Sequence, residues 1–169
     1  SPDGREVAVW STVGVKRFGV PDGALLATWK SPEGVLVTAA AYAPDGARVA
    51  FSYWREGGRR DIAVLDRATG RITLVTDDAA LDLSPVFTPD GRWLVWSSDR
   101  GGVMNLYACA VTADGFGPLR QVTNAVTGAY QPAVSPDGGT LVYVMYSHRG
   151  WDLARMPFDP ARWRDPEAP

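Results

Sequence analysis

The segment SPVFTPDGRWLVWSSDRGG, residues 84–102, decides the fold. A short run, residues 84–88, leads into the tripeptide Pro89-Asp90-Gly91, and an alternating apolar run, residues 92–97, follows it. Proline fixes φ at the first central position of a type I turn, and aspartate tolerates the second. Glycine then accepts the left-handed conformation that closes a bulged hairpin. The segment therefore predicts two antiparallel strands joined by a tight turn.

The same turn recurs along the whole chain. Its aspartates are Asp3, Asp45, Asp90 and Asp137, separated by successive steps of 42, 45 and 47 residues. A period in the mid-forties is that of one propeller blade of four strands. In each later unit a glycine-containing loop and a third strand follow, and fourth strands are predicted at residues 71–76 and 119–123. The sequence thus predicts an all-β fold, a β-propeller fragment of about 3.5 four-stranded antiparallel blades.

The repeat also sets the predicted boundaries. The blades occupy residues 1–159, in units of about 1–30, 35–76, 83–123 and 130–158. Residues 160–169 drop the alternating pattern and carry three prolines, which predicts a linker or a ragged C-terminal tail. Because the first unit lacks strand one and the last lacks strand four, we expect an open arc. Further blades of a parent protein are its expected neighbours.

The composition and the reactive residues argue against nucleic-acid binding, a membrane span and catalysis. The formal net charge of −2 gives no basic surface for nucleic acid, and no run approaches the ~20 apolar residues of a membrane span. His148, the only histidine, excludes sites built on paired histidines. Cys109 lies in an apolar run and is predicted to be an inert buried thiol. With neither a phosphate-binding loop nor a nucleophile elbow, the chain is predicted to be no enzyme, with no catalytic residue and no cofactor.

Polar residues that recur once per blade are predicted to be structural. Asp61, Asn105 and Asp152 each open a third strand, where they would cap the hairpin by accepting backbone N–H bonds. The turn aspartates receive the same interpretation. The acidic segment 77–82 offers oxygen ligands, but its spacing matches no calcium loop and it lacks that loop's glycine. No metal site is predicted.

Binding is predicted where the repeats differ most. The loops that join strand four to the next strand one, residues 77–82 and 124–131, diverge within an otherwise repetitive scaffold. Trp54 and Trp151 also stand beside loops, where tryptophan can stack on a sugar or anchor a peptide, although a structural role is preferred for both. The predicted binding residues are Asp77, Asp78, Asp82, Tyr130 and Gln131, with Tyr130 the best single candidate.

The complete pattern resembles a known family. Ser-Pro-Asp-Gly, an apolar strand, Ser-x-Arg-Gly, Asn/Asp-Leu-Tyr and Val-Thr resemble the repeat of the TolB-like propellers, a branch of the WD-repeat-like superfamily. The resemblance runs from Ser1 to about Phe158, with departures such as Ala40 in place of Pro85 and Pro132.

The resemblance implies a non-enzymatic binding or scaffold module that engages a protein, a peptide or a glycan. It also implies a periplasmic or otherwise extracytoplasmic location. The alternative is an accessory or sensor propeller of a larger enzyme, such as a prolyl-oligopeptidase-like hydrolase or a membrane kinase. In that case the catalytic domain lies outside this chain.

Overall fold

The structure is a computed structural model that describes residues 1–11, 14–30, 36–54, 57–58 and 60–166. The predicted start of the second unit at Val35, the loop residues Arg55 and Glu56, and the last three residues of the predicted tail lie outside the described residues.

In the described part of the chain, fifteen β-strands form four antiparallel sheets, each of which is one blade. Blade one contains β1 (Glu6–Ser11), β2 (Gly14–Gly19) and β3 (Leu25–Lys30). Blade two contains β4 (Leu36–Tyr42), β5 (Arg48–Trp54), β6 (Arg60–Asp66) and β7 (Ile72–Leu74). Blade three contains β8 (Asp82–Phe87), β9 (Trp93–Ser98), β10 (Asn105–Thr112), β11 (Gly115–Phe116) and β12 (Arg120–Gln121). Blade four contains β13 (Ala129–Val134), β14 (Thr140–Ser147) and β15 (Gly150–Pro157).

The sheet order confirms the predicted all-β propeller class. Blade two has its four strands in chain order, and in blade three the two short strands β11 and β12 share the outer edge of β10. The strand pairs are antiparallel, and an isolated parallel bridge between Arg60 and Leu81 lies between two repeats. Packing contacts connect β1 with β4, β4 with β8 and β8 with β13, so that the blades follow one another along an open arc.

The Pro-Asp-Gly turns adopt the predicted geometry. Gly91 has φ of 69°, and its N–H donates to the Thr88 carbonyl at 2.9 Å. Asp90 accepts the Thr88 hydroxyl at 2.6 Å and the Arg92 N–H at 3.0 Å, and these bonds lower the pKa of its carboxyl to about 2. The turn aspartate is therefore structural, as predicted.

The apolar core lies between neighbouring blades. Trp96 and Tyr107 point from blade three towards Ile62 of blade two, whereas Val95 and Leu106 point towards blade four. This alternation follows from the two-residue period of a strand, which sends successive side chains to opposite faces. The slot six residues after the turn aspartate contributes to this core in blades two to four: Phe51 and Trp96 are buried, and Tyr143 is partly buried. Val9 occupies the same slot on the outer face of blade one and is half exposed.

The C-terminal segment differs from the predicted linker. A one-turn 3₁₀ helix, Pro160–Arg162, follows Asp159, and the indole ring of Trp163 is then only 5% exposed. That ring contacts Trp93 edge-on, with centroids 4.7 Å apart, and Arg164 forms a bridge to Gln121. Burial of a large aromatic side chain stabilises the packed segment, although its sequence lacks the alternating pattern of a strand. Residues 160–165 therefore pack on blade three.

Candidate functional site

The residues that open the third strands hold the loops that follow strand four. Asn105 Oδ1 accepts the Ala125 N–H at 2.7 Å and the Thr123 hydroxyl at 2.8 Å. Asp61 Oδ1 accepts the Asp78 N–H at 3.2 Å. These side chains do accept backbone N–H bonds, but from the next loop rather than from their own hairpin as expected. They therefore fix where each connecting loop leaves its blade.

The acidic loop before blade three is fastened by an arginine. Arg100, in the β9–β10 hairpin, donates to Asp78 Oδ2 at 3.0 Å and to both carboxylate oxygens of Asp82 at 3.0 and 3.1 Å. Its guanidinium lies 5.2 Å from the centre of the Tyr107 ring. Asp82 is fully buried, and burial raises the pKa of its carboxyl while Arg100 opposes that change. Two of the predicted binding residues, Asp78 and Asp82, thus form a structural clamp.

Three carboxylates meet at this clamp. One oxygen each from Asp61, Asp78 and Asp82 lies within 4.8 Å of the others, a spacing that a cation could bridge. The Arg100 guanidinium already contacts two of the three and supplies the compensating positive charge. Asp77, the remaining acidic candidate in this loop, is exposed.

Tyr130 and Gln131 line a different feature, a pocket of about 350 Å³ where blades three and four meet. Its other lining residues are Leu83, Ser84, Ser97, Val144 and Trp151. Trp151 is 62% exposed, and its ring contacts that of Tyr130 edge-on, with centroids 5.1 Å apart. The pocket therefore offers aromatic and aliphatic surface beside hydroxyl and amide groups.

A glycine makes room for this aromatic pair. Gly128 has φ of 122°, and a Cβ placed on it would lie 2.6 Å from the Tyr130 ring. Tyr146 adds a third ring, whose centroid lies 5.0 Å from that of Trp151. The connecting loop of blade four is thus held against its hairpin by aromatic contacts and by hydrogen bonds to the Tyr146 backbone, where the loop before blade three is held by Arg100.

Two pocket residues have an uncommon backbone conformation. Ser84 and Gln131 have φ of 54° and 50°, and each lies in the bulge of a first strand, directly before a proline. The Gln131 N–H donates to Ser97 Oγ at 3.0 Å. In blade two, where Ala40 replaces the proline, Ala39 does not adopt this conformation. Sequence reasoning missed Ser84, although the recurring Pro85 and Pro132 mark its position.

In the part of the chain that the structure describes, His148 and Cys109 are not placed together in a catalytic arrangement. His148 is exposed in the β14–β15 turn. Cys109 is buried in β10, and burial raises the pKa of its thiol to about 12. A thiol with this pKa stays protonated at neutral pH. Because the thiolate is the reactive form, Cys109 is expected to be inert, as the sequence predicted. No helix in the described part of the chain has the length and apolar character to cross a membrane.

Successive antiparallel sheets of three to five strands, which contain a recurring Pro-Asp-Gly turn and pack face to face, define a β-propeller. Residues 27–164 match PD40, the TolB beta propeller domain. The chain belongs to that family.

Individual relatives agree with the family. The Tol-Pal system protein TolB of Francisella tularensis is 25% identical over 154 aligned residues, which cover 64% of this chain and 35% of that protein. The uncharacterized peptidase YuxL of Bacillus subtilis is 32% identical over 114 residues, covering 64% of this chain and 17% of YuxL. The crystal structure of TolB from Acinetobacter baumannii superposes on 96% of this chain and 41% of its own, with a TM-score of 0.77 and 21% identity. The chain spans less than two fifths of the length of the curated relatives it matches.

Proposed function

We propose that this chain is a non-enzymatic binding module, in which the pocket around Tyr130 and Trp151 contacts a protein or peptide partner. The exposure of Trp151 beside this cavity is the observation that carries the proposal. Exposed tryptophan and tyrosine in a concave site are the residues that most often dominate binding energy at protein interfaces.

The geometry favours an apolar side chain flanked by polar backbone. Leu83, Val144 and the aromatic rings provide the apolar wall, and Ser84 and Gln131 provide hydrogen-bonding groups at the rim. A peptide supplies both features in alternation, and a glycan would supply a sugar face for Trp151 and hydroxyls for the rim. Asp78 and Asp82 hold the neighbouring loop through their contacts with Arg100. The side chain of Asp77 is exposed, so a partner that binds the pocket would contact it.

A second candidate function rests on the similarity to YuxL. A relative named as a peptidase supports an accessory role, in which the blades guide substrate to a catalytic domain outside this chain. We place either form in the periplasm or another extracytoplasmic compartment, following the TolB-like resemblance. Further blades of a parent protein would lie against the outer faces of blades one and four, where Val9 and Leu153 are exposed.

The test is selection of ligands by the immobilised protein from a random-peptide display library, with a glycan array in parallel. We expect selected peptides to lose about tenfold or more in affinity for Tyr130→Ala and for Trp151→Ala. His148→Ala, an exposed change in the neighbouring turn, is the control and should bind normally. Peptides that bind the Tyr130 variant unchanged would refute the pocket, and selection of glycans alone would refute the peptide class.

A further inference from the structure

Blades one and two border a cleft of about 190 Å³. A cavity of about 150 Å³ is large enough to hold benzene, so this cleft can accommodate a single ring with a small substituent. Its wall is largely apolar and includes Trp29 of blade one and Phe51 of blade two, whose ring centroids lie 5.6 Å apart. Arg17, Tyr42 and Arg67 complete the wall with polar groups.

Two arginines share one glutamate beside this cleft. Arg17 donates from Nε and Nη2 to the Glu6 carboxylate at 2.9 and 2.7 Å, and Arg67 Nη2 donates to Glu6 Oε2 at 2.8 Å. The hydrogen bond from Arg17 lowers the pKa of Glu6, so the carboxylate is ionised. Because Glu6 neutralises only one of the two guanidinium charges, this cluster has one positive charge in excess.

Another lining residue, Asp66, does not offset that excess. It lies opposite Arg48 in the pair formed by β5 and β6, and Arg48 supplies a positive charge on that side of the sheet. Its Oδ1 also accepts the N–H and the hydroxyl of Thr69 in its own turn, both at 2.8 Å. The Asp66 carboxylate is therefore engaged away from the Glu6 cluster.

Two buried polar atoms at the cluster have no hydrogen-bond partner among the described residues. They are the Tyr42 hydroxyl and Arg67 Nε. The Arg67 guanidinium lies 5.3 Å from the centre of the Tyr42 ring, so the two groups are neighbours. Burial raises the pKa of the Tyr42 phenol, which stays protonated at neutral pH and can donate. Since an unpaired buried donor is destabilising, a ligand that supplies an acceptor to these atoms gains affinity.

The repeat itself does not require polar side chains at these two positions. Tyr42 and Arg67 of blade two correspond to Phe87 and Val111 of blade three. The first of each pair lies opposite the residue four places after the turn aspartate, and the second donates its N–H to the carbonyl two places after that aspartate. Phe87 and Val111 belong to the apolar core between blades two and three. Packing of the blades therefore does not explain the polar pair in blade two.

We propose that the cleft between blades one and two binds a small organic anion with an apolar body, such as an aromatic carboxylate. The carboxylate accepts from the Tyr42 hydroxyl and from Arg67 Nε–H, and the ring packs beside Trp29 and Phe51. The ligand neutralises the excess guanidinium charge, and hydrogen bonds between arginine and a carboxylate are stronger than neutral ones. The cleft is separate from the Tyr130 pocket, so neither proposal depends on the other.

The experiment uses benzoate as the probe, in NMR titrations of the full chain. Nitrobenzene has nearly the same shape without the charge, and acetate has the charge without the ring. We expect benzoate to bind saturably at one site with a dissociation constant of about 1 mM or lower. Nitrobenzene and acetate should each bind at least about tenfold more weakly, because each lacks one half of the interaction.

Two matched substitutions locate the site. Tyr42→Phe removes one hydroxyl and should weaken benzoate binding about tenfold while the circular dichroism spectrum stays unchanged. Tyr143→Phe makes the same change in a partly buried tyrosine of blade four and should bind benzoate normally. Tyr130→Ala should also bind benzoate normally.

Three results would overturn the proposal. The first is absence of saturable benzoate binding, and the second is equal affinity for benzoate and nitrobenzene. Both are measured on the unaltered protein and cannot reflect misfolding. The third is unchanged benzoate binding by the Tyr42→Phe variant, which would place the ligand outside this cleft.

Discussion

Replacing Trp163 by alanine tests whether the C-terminal segment belongs to the folded blades. The side chain is almost fully buried against Trp93 and Phe158, with ring centroids at 4.7 and 5.0 Å. Removal of a buried tryptophan costs about 3–5 kcal/mol, and each edge-on aromatic pair adds about 0.5–1.5 kcal/mol. The indole Nε1 is buried without a hydrogen-bond partner in the described residues, so its removal returns about 1–3 kcal/mol. The last two contributions are of similar size and opposite sign, so the expected loss of unfolding free energy is about 3–5 kcal/mol.

The measurement is urea unfolding followed by far-UV circular dichroism, because fluorescence would change with the loss of any tryptophan. Trp151→Ala is the matched control, because this tryptophan also makes two aromatic contacts but is 62% exposed, so its loss should cost only about 1 kcal/mol. Equal, small losses in the two variants would refute the packing of Trp163. Residues 160–165 would then be the linker that their prolines suggest.

Three further changes have expected outcomes. Arg100→Ala should lower the unfolding free energy by about 3–5 kcal/mol at pH 7. The difference in unfolding free energy from the wild type should shrink towards pH 4, because burial raises the pKa of Asp82 and protonation removes its unpaired charge. Urea unfolding at both pH values measures this difference, and an unchanged difference would contradict the expectation. Gly128→Ala should cost about 1–3 kcal/mol through overpacking and alter the near-UV dichroism of Tyr130, and an unaltered spectrum would count against the contact. The pKa of Asp90 is lower in the folded than in the unfolded protein, so its carboxylate stabilises the fold above the unfolded pKa, and this stabilisation disappears as pH falls from about 4 to 2. Asp90→Asn should remove that acid-dependent loss of stability. Because the side chain is partly exposed, we expect an effect of only about 1 kcal/mol in urea titrations.

Local turn chemistry made the fold predictable. Each Pro-Asp-Gly turn needs only its own three residues and the alternating runs beside it, so the hairpins around Asp45, Asp90 and Asp137 could be located from the sequence. Their regular period then placed the remaining strands. Even the first unit, which was predicted to lack strand one, forms a three-stranded sheet.

The site was less predictable, because its roles depend on partners distant in sequence. Asp82 looks like a candidate ligand until Arg100, eighteen residues away, is seen to bind both of its oxygens. Trp163 belongs to no repeat that would mark it as a core residue, and its partner Trp93 lies in the preceding blade, seventy residues earlier in the sequence. Tyr130 was chosen because its loop diverges, a signal that locates variation but not the neighbouring ring of Trp151.

The connecting loops of blades three and four use different side-chain contacts to their hairpins, an arginine clamp in one and aromatic rings in the other, and these contacts should respond differently to added salt. Asp78 is 45% exposed at its side chain, so added ions screen part of its attraction to Arg100. The Tyr130–Trp151 contact contains no charge, and sulfate, which is excluded from protein surfaces, strengthens such apolar association. Sulfate should therefore weaken only the Arg100–Asp78 part of the connection into blade three, because Asp82 is fully buried, while it strengthens the connection into blade four. We therefore expect the ionic composition of the surroundings to affect two adjacent loops of one repeat architecture to different extents.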